Sequence, residues 1–313
     1  MLKGVILNTN VITVGCRDFI QSLKEAGLLL AAVSSSPLFA ARQTLENLNI
    51  AGCFTALVSG AEPPSSKLSP ELLLSAVKKL GLSAKECILI EASAAGTTAA
   101  QSAGIPCIGF AEPDLQKQDL SRAYALMESF ESADASYLRR THAHALKEPA
   151  EILTTKRLLV REFSKEDFPA LFAMCKKPEN ADCMEEILSD YAAEEEKHSA
   201  YLSFVYPFFD LALWGIYEKE TKRLIGRAGF SLSGEDTADY ALGYLIDVPY
   251  RKKGYAKECI PALLSYAKES GASSVIAKIK KSNTASLRVL ELCGYPCQIE
   301  AESGDTVTYR IFL

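Results

Sequence analysis

Short runs of hydrophobic residues alternate with amphipathic segments through the first half of the chain. The runs have the length of strands buried on both faces, and the segments between them repeat apolar residues every three or four positions, as one face of a helix does. The predicted strands are residues 4–7, 28–33, 56–59, 87–90, 106–110 and 122–129, and the predicted helices are residues 18–26, 38–48, 69–80, 94–103 and 131–146. This alternation predicts an α/β domain with a doubly wound parallel sheet.

The second half has a different order, in which helical segments follow the first strand and several strands then come in succession. A short turn joins two of these strands into a predicted hairpin at 211–231. Pro261 lies inside a predicted helix, where it costs about 3 kcal/mol unless the helix kinks there. The predicted strands are residues 157–163, 211–218, 224–231, 240–246, 274–279, 296–301 and 306–312, and the predicted helices are residues 164–175, 184–206, 256–268 and 283–293.

The length of 313 residues fits two domains of ordinary size better than one core. The segment around Pro149 is the best candidate for the connection between them, because a proline does not continue a helix. We therefore expect an amino-terminal domain at 1–147, a linker at 148–153 and a carboxy-terminal domain at 154–313.

The composition is that of a globular protein, with 48% hydrophobic and 23% charged residues. A net charge of -5 gives no support for a nucleic-acid surface. No apolar run approaches the ~20 residues of a membrane helix, and Asn8 and Asn10 interrupt the apolar start of the chain. We therefore expect a cytoplasmic protein with neither a nucleic acid nor a membrane as its partner.

The cysteines and histidines of the chain do not indicate a metal site. Nine cysteines are scattered without a Cys-x-x-Cys pair, which is typical of reduced thiols. Cys293 and Cys297 are close in sequence, but no histidine or further cysteine stands near them to complete a zinc site. We therefore expect no metal.

The clearest chemical motif lies between the strand at 240–246 and the helix that follows it. Gly254 allows the backbone to approach a ligand, and the start of the helix presents free N–H groups with a partial charge of roughly +0.5. Arg251, Lys252 and Lys253 add cationic donors beside the glycine. Strand, glycine turn and helix together predict a cradle for a pyrophosphate.

Residues 251–256 resemble the acyl-CoA signature of the GNAT superfamily of acyl-CoA-dependent N-acyltransferases. In that signature Arg or Gln is followed after two residues by Gly, and after one more by Gly or Ala. A second match lies downstream, where Asn283, Ser286, Gly294 and Tyr295 are similar to the family's closing helix. The two motifs occur in the family's order, with a predicted strand between them.

The GNAT resemblance covers about residues 154–313 and implies an α+β domain with a mixed sheet. The opening at 157–162 is similar to the branch that contains the ribosomal-protein N-terminal acetyltransferases. The resemblance further implies acetyl-CoA as cosubstrate and a primary amine as acceptor. The residues implied in binding the cosubstrate are Leu245, Ile246, Asp247, Arg251, Lys252, Lys253, Gly254, Tyr255, Ala256 and Asn283.

Acyl transfer to an amine needs a base for the amine and an acid for the departing thiolate. The resemblance makes Ser286 the candidate that protonates the thiolate. In many relatives a tyrosine seven residues after the position of Asn283 is the acid, but Leu290 occupies that position here. Asp239, at the start of the central strand, is the candidate base, and an ordinary loop carboxylate is the other interpretation of it.

Polar residues end several strands of the first half and form a second set of candidates. Over about the first 145 residues, their order resembles a phosphatase of the haloacid dehalogenase (HAD) superfamily, in the branch that includes beta-phosphoglucomutase. The resemblance assigns Asn8 and Asn10 to the positions of the nucleophilic and the acid–base aspartate, Ser34 and Lys67 to phosphate binding, and Glu91 and Ala92 to the magnesium carboxylates.

The departures from the HAD pattern remove the chemistry of that family. An amide at Asn8 cannot attack phosphorus, Asn10 cannot transfer a proton, and Ala92 lacks a magnesium ligand. The short stretch between Asn10 and Ser34 contains only one predicted helix, so the helical cap usually inserted there is expected to be missing. Ser34 and Lys67 are either remnants of an active ancestor or still bind a phosphorylated metabolite.

We therefore expect an acetyl-CoA-dependent N-acetyltransferase fused to an inactive HAD-like domain that acts as a structural or phosphometabolite-sensing partner. Two alternatives remain open at this stage. One is a pair of binding domains for acyl-CoA and phosphate without turnover, and the other is a working HAD-type phosphatase.

Overall fold

A computed structural model describes residues 1–60, 68–111, 118–131, 133–181, 190–208, 211–232 and 240–313. The chain divides into two compact units, Met1–Glu148 and Pro149–Leu313. Within the described ranges, no helix combines the length and the apolar character needed to cross a membrane.

The first unit contains a sheet of six strands in the order β3-β2-β1-β4-β5-β6, and its neighbouring strands are parallel. The chain order reverses at β1, which lies between β2 and β4. Polar residues at the carboxyl ends of the strands at such a reversal face one crevice. The strands are β1 (Gly4–Asn8), β2 (Leu29–Ser34), β3 (Ala56–Ser59), β4 (Cys87–Glu91), β5 (Cys107–Phe110) and β6 (Ala125–Met127).

Helices cover both faces of this sheet, which confirms the doubly wound prediction. Val5 and Leu7 of β1 belong to one buried cluster, and Ile6 between them belongs to the other. The Ser69 side chain caps α3, and α3 ends at Gly81 with a left-handed φ of 70°. The helices are α1 (Arg17–Glu25), α2 (Leu38–Asn47), α3 (Pro70–Leu80), α4 (Ala94–Ala103) and α5 (Ala135–Ala145).

The connection from β1 to β2 is short. Residues 9–28 form a single 3-10 turn, Val14–Cys16, and α1. All of these residues are described, and they leave no room for a helical cap at this position. The structure therefore contains no helical cap between Asn10 and Ser34.

The second unit contains an eight-stranded mixed sheet in the order β13-β14-β12-β11-β10-β9-β8-β7. Its strands are antiparallel except for β11 and β12, which are parallel. This is the mixed sheet that the GNAT resemblance implies. The strands are β7 (Glu151–Thr154), β8 (Leu158–Arg161), β9 (Leu213–Glu218), β10 (Leu224–Leu232), β11 (Tyr240–Ile246), β12 (Ser274–Lys280), β13 (Cys297–Ser303) and β14 (Thr306–Phe312).

The parallel pair β11–β12 is joined only at its beginning. Tyr240 pairs with Val275 and Ala241 pairs with Ile276, and no further register partners follow. On its other side, β11 pairs with β10 along its whole length, from Tyr240 to Ile246. The sheet therefore opens between β11 and β12 after Ala241.

The helices of the second unit pack around a single large core that contains Trp214, which is 1% exposed and packs edge-on against Tyr266. The last long helix, α9, continues through Pro261 to Glu269. Part of the helical region predicted at 184–206 lies outside the described residues, and the described helix of this region begins at Tyr191. The helices are α6 (Phe168–Cys175), α7 (Pro178–Ala181), α8 (Tyr191–Phe204), α9 (Tyr255–Glu269) and α10 (Thr284–Glu291).

The predicted linker at 148–153 needs a correction, because the strand β7 begins at Glu151 and pairs with β8. The Ala150 N–H donates to the buried carboxylate of Glu162, and the Glu162 N–H donates to the Ala150 carbonyl. These contacts add the segment to the edge of the sheet. A four-residue edge strand directly after Pro149 has too short a pattern to be recognised from sequence.

Candidate active site

A cavity of about 490 Å³ lies where β11 separates from β12. Residues of β11, of the turn before α9, and of α10 line it, and we call it the β11–α10 cavity. It brings together most of the residues that sequence analysis assigned to this half, namely Leu245, Ile246, Arg251, Lys252, Gly254, Tyr255, Ala256, Asn283 and Ser286.

The turn before α9 presents backbone N–H groups to the β11–α10 cavity. Gly254 has a left-handed φ of 80° and is the N-cap of α9. The nearest group to a hypothetical Cβ at Gly254 is the Arg157 guanidinium, at 3.6 Å. The first N–H groups of a helix have no partner within the helix, and they carry its positive end. An anionic group fits this end of the cavity.

Arg157, on the loop before β8, braces this turn. Its Nε donates to a carboxylate oxygen of Glu258 at 2.6 Å, and its Nη1 donates to the Lys253 carbonyl at 3.0 Å. Its guanidinium also lies 4.4 Å from the centre of the Tyr255 ring. Burial alone would raise the pKa of Glu258, but hydrogen bonds from Thr155 and Arg157 outweigh it and lower that pKa. The first turn of α9 is therefore fixed to the sheet by a charged pair.

Asp247 does not line the cavity, although it stands between residues that do. Its carboxylate is 8% exposed and accepts hydrogen bonds from Lys177 Nζ at 2.8 and 2.7 Å and from Asn180 at 3.3 Å. It also accepts from the Val248 N–H at 2.8 Å. A carboxylate that is buried in this way needs such partners, so Asp247 positions the chain after β11.

The three cations of the turn point in different directions. Lys252 lines the cavity, whereas Lys253 is not among the lining residues and places its Nζ 5.2 Å from the centre of the Tyr250 ring. Arg251 lines the cavity but donates from Nε to the Ile246 carbonyl at 2.9 Å. Of the three cations, Lys252 is therefore the one best suited to meet an anion.

The opposite wall of the β11–α10 cavity carries two hydroxyl groups. The Asn283 side chain caps α10 by accepting from the Ser286 N–H at 3.1 Å. The Tyr244 hydroxyl of β11 donates to Ser286 Oγ at 3.0 Å. Leu290, at the position where relatives have a tyrosine, is a core residue with 8% exposure. Tyr244 thus places a phenol beside Ser286 from a different element.

The cavity is also lined by Tyr244, Lys257 and Arg288, which no motif in the sequence had indicated as site residues. Alternation along β11 could have placed Tyr244 on one face, but not next to α10. The candidate base Asp239 lies outside the described residues, and so does Lys67 of the HAD-like set.

The HAD-like residues meet at the carboxyl ends of β1 and β4, around Glu91. This carboxylate has no exposed surface, and its two oxygens accept four N–H groups. The donors are the Asn8 amide at 2.7 Å, the Asn10 amide at 3.0 Å, and the backbone N–H groups of Ala92 at 2.8 Å and Ser93 at 2.9 Å. The negative charge is thus satisfied by the chain itself.

This arrangement does not fit a magnesium ion. Magnesium requires an octahedron of oxygen ligands, whereas the amide nitrogens of Asn8 and Asn10 face the Glu91 carboxylate here. Among the described residues, no group of three or more His, Cys, Asp or Glu side chains is arranged to hold a metal. Ser34, at the end of β2, lies nearby and accepts from the Thr9 hydroxyl at 2.8 Å and the Ser36 N–H at 3.1 Å.

Comparison with known proteins identifies both halves. The family model for the acetyltransferase (GNAT) domain matches residues 157–296, and the model for haloacid dehalogenase-like hydrolases matches residues 2–104. Over 152 residues the chain is 30% identical to the uncharacterized N-acetyltransferase YoaA of Bacillus subtilis, covering 46% of this chain and 82% of that protein.

Two further relatives were found. The chain is 30% identical over 113 residues to hexitol phosphatase B of Escherichia coli, covering 36% of this chain and 51% of that protein. It therefore spans about half the length of that phosphatase. A solved acetyltransferase structure from Agrobacterium tumefaciens aligns with a TM-score of 0.43 at 25% identity, over 50% of this chain and 92% of that one.

The second unit is an acetyltransferase domain, with its cavity at the opening of the central sheet. The chain belongs to the GNAT acetyltransferase family and carries a haloacid dehalogenase-like domain fused on the amino-terminal side.

The Glu91 network predicts that Gly96→Ala destabilises the first unit. A Cβ at Gly96 would lie 2.0 Å from Glu91 Oε2. Glu91 cannot move aside without losing N–H partners, so we expect a loss of about 1 to 3 kcal/mol in the free energy of unfolding. Urea denaturation measures this loss.

Gly52→Ala is the matched control, because nothing lies within 4 Å of a Cβ at that position. We expect its effect to stay within about 0.5 kcal/mol. Equal unfolding midpoints for Gly96→Ala and Gly52→Ala would contradict a tightly held Glu91.

Proposed function

We propose that the carboxy-terminal unit transfers an acetyl group from acetyl-CoA to a primary amine. The observation that carries this proposal is the β11–α10 cavity, which joins the positive start of α9 to the Ser286–Tyr244 pair along one open strand edge. Such a cavity can accept a molecule with an anion at one end and a reactive thioester at the other.

The cavity fits the parts of acetyl-CoA in order. The start of α9 and Lys252 suit the pyrophosphate. Because β11 has no register partner on β12 after Ala241, the backbone of residues 242–246 can pair with the amides of the pantetheine arm. The arm would then run along β11 toward Tyr244 and Ser286.

The two hydroxyls suggest how the thiolate is protonated. Tyr244 donates its hydrogen bond to Ser286 Oγ, which leaves the Ser286 proton free to be donated onward. As the C–S bond breaks, Ser286 would protonate the sulfur and take a proton from Tyr244. Tyr244 would thus supply the phenol that many relatives have at the position of Leu290. Asp239 remains the predicted base for the amine.

Gly254→Glu should abolish binding of acetyl-CoA, because the new carboxylate both fills the turn and repels a phosphate. For the unaltered chain, acetyl-CoA at about 100 times its Kd adds about 2.7 kcal/mol of stability, a rise of roughly 5 to 10 °C in Tm. A thermal-shift titration should show this rise, and Gly254→Glu should lose it.

Gly271→Glu provides the matched control. Gly271 also has a positive φ, of 91°, and follows α9 at its other end. It carries the same backbone strain and charge change without touching the cavity, so it should keep the shift. If both variants respond alike to acetyl-CoA, the ligand does not bind at the turn.

Ser286→Ala and Tyr244→Phe should each lower kcat on the order of 10²-fold, while the acetyl-CoA thermal shift persists. The double variant should be little slower than either single one, because the two groups would act as one proton path. Release of free CoA thiol over a panel of primary amines measures kcat.

Tyr240→Phe tests the loss of a phenol elsewhere on β11 and should leave kcat within about twofold. Binding of acetyl-CoA without thiol release from any amine would favour the alternative of a non-catalytic acyl-CoA binding protein.

We further propose that the HAD-like unit does not hydrolyse phosphate esters, although some of its relatives are phosphatases. The support is the Glu91 network, in which amides at Asn8 and Asn10 stand at the positions of the nucleophile and the acid–base group. Neither amide can form a phosphoenzyme or shuttle a proton. A structural or phosphometabolite-sensing role through Ser34 and Lys67 remains the proposal for this unit.

With magnesium and p-nitrophenyl phosphate, the purified chain should show no hydrolysis above that of Glu91→Gln. Both proteins lack the attacking carboxylate, so both should give the background rate. Saturable hydrolysis by the unaltered chain that disappears in Glu91→Gln would instead establish the HAD-type phosphatase.

A further inference from the structure

A second cavity, of about 390 Å³, lies in the acetyltransferase unit between α6, α8 and the strands β9 and β10. We call it the α6–α8 cavity. Most of its lining is apolar, including Phe168, Phe172, Tyr201 and Leu213. Its size is that of a small-molecule site. Two polar groups in its lining, His198 and Arg227, distinguish it from a packing defect.

His198 is a buried polar group with an unused nitrogen. The side chain is 9% exposed, and its ring lies 5.7 Å from that of Phe163 and 5.2 Å from that of Phe168. Among the described residues, its Nε2 has no hydrogen-bond partner. Burying such a group without a partner destabilises the fold, and a bound hydrogen-bond donor would recover this cost.

The protonation of His198 defines what Nε2 can bind. Burial lowers the pKa of His198, and a backbone hydrogen bond at Ser164 partly opposes this by favouring the protonated form. A bond that favours the protonated ring is donated by the ring, so we assign the proton to Nδ1. Nε2 then carries a lone pair, which accepts a hydrogen bond from an N–H or O–H group.

Arg227, on β10, supplies a positive charge. Its half-buried guanidinium makes no hydrogen bond or ion pair with the residues that the structure describes, and it lines the cavity. The other charges of the lining, Lys197 and Glu194, lie 3.9 Å apart and offset each other. Among the described lining residues, Arg227 is therefore the charged side chain without a hydrogen-bond or ion-pair partner, and a guanidinium suits a carboxylate.

The two cavities adjoin the same strand. Arg227 is the register partner of Leu245, which lines the β11–α10 cavity, and paired residues of antiparallel strands point to the same face. Leu213 approaches the same strand at Gly243, 3.8 Å from a Cβ built there. A ligand in the α6–α8 cavity therefore lies on the face of β11 opposite to Tyr244, and its amine would reach the thioester at the edge of β11 that β12 leaves open after Ala241.

We infer that the α6–α8 cavity holds the acyl acceptor, and that this acceptor is a primary amine with an apolar body and a carboxylate, as in a hydrophobic amino acid. The inference rests on the acetyltransferase function proposed above. The apolar body packs on the aromatic side chains, the carboxylate pairs with Arg227, and an N–H group of the acceptor donates to His198 Nε2.

The test is a thermal-shift titration, without acetyl-CoA, that uses phenylalanine, phenylalaninamide and glycine as probes. Phenylalanine should raise the Tm, phenylalaninamide should bind about tenfold or more weakly because it lacks the carboxylate, and glycine should give no shift. Thiol release at saturating acetyl-CoA should rank the three amines in the same order.

Two matched pairs of variants locate the ligand. Ala200 is exposed and lines the cavity, whereas Ala192 is exposed on the same helix and does not. Ala200→Trp should abolish the phenylalanine shift, and Ala192→Trp should keep it. Arg227→Gln should weaken phenylalanine about tenfold, whereas Arg223→Gln, an exposed residue before the same strand, should not.

The outcomes separate this inference from the proposed function. If acetyl-CoA shifts the Tm but phenylalanine does not, or if Ala200→Trp and Ala192→Trp respond alike, the acceptor assignment is overturned while the acetyl-CoA site stands. If phenylalanine binds and Ala200→Trp removes it, the cavity assignment is supported even where acetyl-CoA gives no shift, and only the proposed acetyl transfer then fails.

Discussion

The early end of the pairing between β11 and β12 is the constraint around which the acetyltransferase unit is built. A strand inside a sheet ordinarily satisfies its backbone groups on both sides, and each group left without a partner away from water costs about 1 to 3 kcal/mol. β11 keeps its antiparallel partner β10 over its whole length but leaves β12 after Ala241. The edge of β11 that faces β10 is therefore fully paired, whereas the edge that faces β12 is free after Ala241. The free edge suits a site that pairs with the amides of an extended ligand. A cosubstrate on this edge would complete the sheet.

The charged residues around the opening between β11 and β12 mainly contact other parts of the chain, and these contacts fix the shape of the opening. Asp247 binds Lys177 and Asn180, and Arg157 binds Glu258 across from the glycine turn. Both contacts join segments that are distant in sequence and fix where β11 ends and α9 begins. The N–H groups at the helix start are thereby aimed without an additional conformational cost on binding, which is the benefit of a preorganised site.

Patterns that are local in sequence predicted this molecule well, and long-range pairings were missed. The helices and strands of the two folds follow from local hydrophobic periodicity, and the glycine turn follows from a few neighbouring residues, so the sequence contains their signal. The partner of Asp247 is Lys177, seventy positions away. The meeting of Tyr244 with Ser286 depends on how β11 and α10 are placed in three dimensions. The edge strand β7 gains its stability from β8, which a four-residue pattern cannot reveal.

The two candidate sites differ in whether the chain itself already satisfies their polar groups. In the acetyltransferase unit, the backbone edge of β11 has no strand partner on the β12 side after Ala241. In the HAD-like unit, the Glu91 charge is already matched by N–H donors of the chain, so a cation would have to displace them before it could bind. A carboxylate in place of the Asn8 amide would face Glu91 across the 2.7 Å that a hydrogen bond now spans, so a proton or a cation would have to lie between the two groups. Two like charges at that distance repel strongly when buried. The amides at Asn8 and Asn10 therefore both depend on the Glu91 carboxylate, and the charge balance of this site is a property of the whole network.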